Sequence, residues 1–184
     1  MNGQPTLITE RLILRPYSQT DAKIVQKLIG DRVVADTLIS VPYPYPDGLA
    51  EEWIGKRQKE FEENKSVQFA ITLKEQGSII GGIGLMMKQE LENAELGYWI
   101  AKSFRHQGYC TEAANAVVKY GFETLGLNRI GATHMTRNPR SGNVMQKIGM
   151  KHEGHLRQAW KRWDKFEDVE MYAVLRGEFD NLPR

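Results

Sequence analysis

One cysteine in 184 residues leaves that thiol no partner for an internal disulfide, which argues against a disulfide-stapled secreted scaffold. The four histidines show no metal-ligand spacing with the cysteine, and no metal site is expected. No apolar run approaches the ~20 residues needed to cross a bilayer. The first residues also lack the charged and apolar regions of a secretory signal, so a cytoplasmic protein without membrane contact is expected. Neither sign of charge is in excess, since 25 Lys and Arg stand against 23 Asp and Glu for a formal net charge of +2. With no like-charged block and no RNP or zinc-finger pattern, direct nucleic-acid binding is not expected. Two phosphate signatures are missing as well. There is no GxxxxGK[ST], which removes the nucleoside-triphosphate loop, and no GxGxxG behind a strand, which argues against a dinucleotide site.

What is present is concentrated between Trp99 and Met135, where WIAKSFRHQGYCTEAANAVVKYGFETLGLNRIGATHM runs from strand to glycine turn to helix to strand. Gly108 lets the backbone bend where a side chain would clash, and the helix behind it opens with amides that have no partner inside the helix. Those amides, at the positive end of the helix dipole, attract an anion. Thr111 reads as the N-cap, Glu112 stands in the first turn, and Ala114, Val117, Val118, Gly121, Phe122 and Leu125 fall on one face before Gly126 stops the helix. The flanking AELGYWI and RIGATHM read as strands of a right-handed βαβ crossover, which places a ligand at the carboxyl end of the first. A glycine turn by itself fits a ligand-free loop equally well.

The remaining chain alternates between the two periodicities. ERLILRPY reads as a strand, and a helix starting at Thr20 and Asp21 buries Ile24, Val25, Leu28 and Ile29. Pro42, Pro44 and Pro46 make a stiff, tyrosine-rich loop, after which Leu49 to Phe61 is helical, with Leu49, Trp53, Ile54 and Phe61 on or near one face. SVQFAITLK and SIIGGIGLMM are strands around a Gln76-Gly77 turn, leading into a strand from Ala94 to Ile100. A short helix near Ser141 to Ile148 precedes closing strands at roughly Lys151 to Trp160 and Glu167 to Leu175. With no linker or repeat, 1–184 is expected to form one three-layer α/β/α domain whose mixed sheet is mostly antiparallel with one parallel pair. Arg157, Lys161, Arg162 and Lys165 interleave with Trp160, Trp163 and Phe166, which reads as a solvated face over buried aromatics, with attraction of an acidic substrate as the alternative.

RHQGYC resembles the Q/R-x-x-G-x-G/A signature of the GNAT acetyltransferases, with Cys110 where the signature has Gly or Ala. The opening TLITERLILRP, YPYPDGLAEEWI, ELGYWI, TEAANAVVKYGFETLGLNRI and NPRSGNVMQKIGMKHEGHLR are similar, in the same order, to the branch holding the RimJ and RimL type ribosomal-protein N-terminal acetyltransferases. The resemblance implies the acyl-CoA N-acyltransferase fold, acetyl-CoA as cosubstrate, and attack of a primary amine on its thioester. Ile100, Arg105, His106, Gly108, Tyr109, Cys110, Thr111, Asn138 and Asn143 are then the candidate cofactor-binding residues.

For the chemistry, Glu95 is the candidate proton acceptor, with Glu92 as a neighbouring competitor, and a solvated strand-edge charge is the competing reading. A bulge at Gly97 is expected to aim an amide at the carbonyl oxygen. By its match to N-x-x-S-x-x-V, Ser141 is the candidate donor to the leaving thiolate; a turn and first-turn cap is the alternative for Asn138 and Ser141. Arg105 is expected to act chiefly through its backbone in the turn, with its side chain either meeting a phosphate or pairing with Glu112. Tyr45 in the proline loop and Trp53 are the candidate acceptor-binding residues. A protein N-terminal amine is the leading acceptor, with small-molecule amines and a noncatalytic acyl-CoA-binding module as alternatives. The exposed edge strands lean towards a homodimer.

Overall fold

The computed structural model describes residues 3–181. Its elements run β1 (Leu7–Ile8), β2 (Leu12–Pro16), α1 (Ala22–Ile29), α2 (Arg32–Ala35), α3 (Leu49–Gly55), α4 (Arg57–Glu62), β3 (Ser66–Leu73), β4 (Ile79–Lys88), β5 (Asn93–Ile100), α5 (Tyr109–Glu123), β6 (Arg129–Met135), α6 (Pro139–Lys147), β7 (Lys151–Arg162), β8 (Lys165–Leu175) and α7 (Arg176–Phe179). The strands form one sheet in the order β1-β2-β3-β4-β5-β6-β8-β7. Every neighbouring pair is antiparallel except β5 and β6. That exception follows from α5, because a helical crossover returns the chain in the same direction.

The two faces of the sheet carry different chemistry, and strand alternation produces this. Leu12, Leu14, Val67, Phe69, Ile71, Ile83, Leu85, Ala94, Leu96, Ile130 and Ala132 are buried on one face, in a core completed by Ala113, Ala114, Val117, Val118 and Phe122 of α5 and by Met145 of α6. The opposite face carries Ser66, Gln68, Gly82, Gly84, Met86, Glu95, Gly97, Trp99 and Thr133, matched across the strands by register. Above it, Ala22, Val25, Ala50 and Ile54 of α1 and α3 form a smaller apolar cluster with Tyr17, Tyr45 and Trp53. Gly82 is glycine for a packing reason: a Cβ there would collide with the Tyr17 hydroxyl and lie 2.6 Å from Trp99 Nε1.

Several details differ from expectation. The Leu49 to Phe61 segment is two helices, α3 and α4, broken at Lys56. The buried residues of α1 are Ala22 and Val25, while Ile24 is exposed. Trp163 and Phe166, expected under a basic face, are themselves exposed at 39% and 63%, because they sit at the turn of the β7–β8 hairpin, where Trp163 meets the Tyr43 ring and the guanidinia of Arg32 and Arg162.

Candidate active site

The site begins where β5 and β6 part. Their parallel pairing covers only Asn93, Ala94 and Glu95 against Arg129, Ile130 and Gly131, so the last five residues of β5 have no neighbour on that side. The amide of Ala101 bonds to the carbonyl of Ile80 on the β4 side, 2.9 Å away. By alternation, the amides of Tyr98 and Ile100 therefore point into the gap. A cleft of about 780 Å³ opens there. The β4–β5 register runs unbroken through Gly84 and Gly97, so the bulge expected at Gly97 is absent and the donors come from the splayed strands instead.

Below the gap stands the N-terminus of α5. Gly108 caps it in the left-handed region at φ +82°, with no side-chain capping bond, and His106 just before it is also left-handed at φ +65°. The first bond of the helix runs from the Glu112 amide to the Gly108 carbonyl, 3.0 Å. Thr111 is thus inside the first turn and is not the cap, and the amides of Tyr109, Cys110 and Thr111 face outward without helical partners. Ile100, Arg105, His106, Gly108, Tyr109, Cys110, Thr111, Asn138 and Asn143 all line this cleft. Burial pushes the Cys110 thiol up to about 12, which keeps it protonated near neutrality.

Arg105 does not pair with Glu112. Its Nε donates to the Ile100 carbonyl at 3.3 Å and its Nη2 to the Val33 carbonyl at 3.3 Å, while burial and the nearby Arg140 lower its pKa. Glu112 instead pairs with Arg11, Nε to Oε2 2.7 Å, a partner that strand order supplies from about a hundred residues upstream.

Two polar groups flank the gap from opposite faces. On the α5 and α6 face, the Ser141 hydroxyl lies 2.9 Å from the Tyr98 hydroxyl, which also donates to the Ser141 carbonyl at 2.9 Å. Burial, with Cys110 nearby, raises the Tyr98 phenol well above its ordinary range despite the Ser141 bond. Asn138 occupies the N-cap position of α6 but makes no side-chain capping bond, so capping does not consume its amide. On the other face Glu95 accepts a hydrogen bond from Thr133 Oγ1 at 3.2 Å. Glu92, its competitor, is exposed at the far end of β5 and lies outside the cleft lining.

Trp53 lines the cleft, edge-on to Tyr17 at 5.0 Å and stacked under Arg57 at 4.5 Å. Tyr45 does not line it. That ring packs against the α1 and α3 cluster, because the proline loop turns it inward. Arg57, Glu60 and Trp160 are cleft residues that sequence reasoning missed. Arg57 and Glu60 are three apart on one helix, a spacing that marks an ion pair but not its location.

Residues 11–151 match the family model described as "Acetyltransferase (GNAT) domain". The chain belongs to the GNAT family. An uncharacterized N-acetyltransferase, p20, of Bacillus licheniformis is 31% identical over 95% of this chain and 98% of its own length. The ribosomal-protein-serine acetyltransferase of Escherichia coli is 30% identical over 64% of this chain and 73% of its own. The crystal structure of spermidine N-acetyltransferase from Vibrio cholerae in complex with CoA and spermine superposes with a TM-score of 0.82 at 22% identity, covering 94% of this chain and all of that one. At that identity the likeness concerns the fold.

This GNAT protein is an N-acetyltransferase that uses acetyl-CoA as its donor, and the site's own geometry fits that molecule. The uncapped amides of α5 and the cations Arg105, Arg140 and Lys147 of the lining suit phosphates. The unpaired amides of β5 suit an extended chain of amide groups. No group of His, Cys, Asp or Glu among the described residues is arranged to hold a metal ion, and no helix among them is long and apolar enough to cross a membrane.

Proposed function

We propose that the acceptor is the N-terminal amine of a polypeptide, of the ribosomal-protein type, and that Glu95 and Ser141 handle the two proton transfers. The carrying observation for the acceptor is the carboxylate inventory of the cleft. Glu60 and Glu95 are the acidic residues lining it among the described residues. Glu60 is already committed, receiving Arg57 at 2.8 Å and the Ser66 hydroxyl at 2.7 Å. A polyamine brings two or more cations and needs a carboxylate for each, whereas a polypeptide N-terminus brings one cation on an otherwise neutral backbone.

Acetyl-CoA, when bound, supplies a thioester carbonyl that an amine can attack. Glu95, reaching the gap from the acceptor face, takes the amine proton on the oxygen opposite its Thr133 bond. The amides of Tyr98 and Ile100 offer donors where negative charge develops. From the other face Ser141, whose hydroxyl is held beside the gap by Tyr98, turns its proton from the Tyr98 oxygen to the departing sulfur. Trp53 and Trp160 give the cleft aromatic walls against which an acceptor can pack.

Thiol release from acetyl-CoA, measured against free N-terminal peptides, the same peptides N-blocked, and a panel containing spermidine, tests the acceptor. Free peptides are expected to accelerate release and blocked peptides to do nothing. Faster turnover of spermidine than of any free peptide would reverse the assignment.

A further inference from the structure

Glu112 is out of place at an anion site. It is the fourth residue of α5, whose opening amides face the phosphate-binding turn, and its side chain is only 16% exposed. An unneutralised carboxylate there opposes both the helix end's attraction for phosphate and the phosphate itself.

The β1–β2 turn saturates it. Arg11 Nε donates to Oε2 at 2.7 Å, the Arg11 amide to Oε1 at 2.8 Å, and Thr9 Oγ1 to Oε1 at 2.6 Å. The same guanidinium reaches the loop itself. Its Nη1 donates to the Gln107 carbonyl at 2.9 Å, its plane lies 4.6 Å over the Tyr109 ring, and a Cβ on Gly108 would stand 3.3 Å from its Nη2. One side chain therefore touches Gln107, Gly108, Tyr109 and Glu112, both limbs of the turn. Burial tends to raise the Glu112 pKa, but the bonds from Thr9 and from the Arg11 amide and side chain outweigh it and lower the pKa overall, so the carboxylate remains charged and Arg11 remains its counterion.

We infer that Arg11 is a positioning residue for acetyl-CoA: it cancels the Glu112 charge behind the phosphate turn and holds that turn in its left-handed shape. Arg11 is not among the cleft-lining residues, so it acts through the loop and not by contact with the thioester. The inference concerns the cofactor grip and is independent of which amine is acetylated.

Calorimetric binding of acetyl-CoA to Arg11→Ala, Glu112→Gln and the double variant separates charge cancellation from mere scaffolding. Arg11→Ala is expected to weaken binding by about tenfold or more, the loss of one charge-assisted contact set, while kcat at saturating acetyl-CoA stays within about threefold of wild type. Removing the stranded charge in Arg11→Ala/Glu112→Gln is expected to recover several-fold of that loss. A double variant binding no more tightly than Arg11→Ala would overturn the inference, as would a folded Arg11→Ala that binds acetyl-CoA like wild type. Should Arg11→Ala fail to fold by circular dichroism, Arg11→Gln with and without Glu112→Gln makes the same comparison, since glutamine keeps a long polar side chain there but removes the charge that cancels Glu112.

Discussion

Ser141 and Tyr98 are joined hydroxyl to hydroxyl at 2.9 Å, and this small arrangement supports the proposed proton-donor role of the serine over the capping one. A capping serine bonds to its own helix's amides, whereas this one spends its hydroxyl on a strand residue across the cleft. Ser141→Ala is therefore expected to lower kcat by about tenfold while leaving acetyl-CoA binding and Tm near wild type; a drop in Tm with kcat preserved would restore the capping role. Cys110 makes an opposite prediction. With its thiol pushed up to about 12 by burial, it should resist iodoacetamide at pH 7.5, and Cys110→Ala should keep kcat within about twofold, because a protonated buried thiol is a poor nucleophile. Rapid alkylation with loss of activity would contradict this. The positions of Glu95 and Ser141 beside the cleft were legible from motif and alternation, but their contacts were not. Glu112's partner sits about a hundred residues away in the β1–β2 turn and Tyr45's orientation depends on α1, and neither relation leaves a local trace in sequence.

The turn before α5, the candidate phosphate site, depends on a single backbone conformation. Gly108 has φ +82°, a region that β-branched residues rarely enter, and its would-be Cβ faces Arg11. Gly108→Val should abolish acetyl-CoA binding in a protein that remains folded by circular dichroism; retained calorimetric binding would remove the turn from the cofactor site. At the other end of the sheet, Glu170 of β8 sits between His155 at 2.8 Å and His152 at 2.7 Å. These bonds hold the Glu170 carboxyl down to about 2 and raise the His155 imidazole above its ordinary 6.5. The Glu170 contribution is complete above its ordinary 4.5 and fades as pH falls towards 2. The His155 contribution is complete below 6.5 and fades as pH rises through its raised value. Both are present between, so His155→Gln should lower Tm most from about pH 4.5 to 6.5 and little at pH 9; a pH-independent difference would contradict the pairing. Period-two alternation exposed all the long strands at the sequence level. It did not reveal that β8 inserts between β6 and β7, since the two possible orders present the same alternating faces.

At the scale of the whole molecule, function follows from one sheet with two unlike faces and one incomplete seam. The apolar face is filled by α5, and the fit there is close: a Cβ on Gly121 would lie 2.8 Å from Ile130 Cδ1 and 3.0 Å from Leu85 Cδ1. Gly121→Val should accordingly cost roughly 1–3 kcal/mol of stability by overpacking, read by denaturant unfolding; an unchanged midpoint would mean that α5 packs more loosely. The opposite face, where Met86, Glu95 and Gly97 line the cleft, leaves room for an acceptor, and the parting of β5 from β6 connects the two sides. Glu95 and Ser141 thus meet the gap from opposite faces, an arrangement invisible in sequence because it depends on where a parallel ladder stops. The most direct test compares Glu95→Gln with wild type in a single experiment, measuring acetyl-CoA affinity by calorimetry and thiol release at saturating acceptor. Affinity within about twofold alongside a kcat reduced by roughly 10²-fold or more is the expected result. An unchanged kcat would take Glu95 out of the reaction and leave the paired faces of the gap without their chemical role.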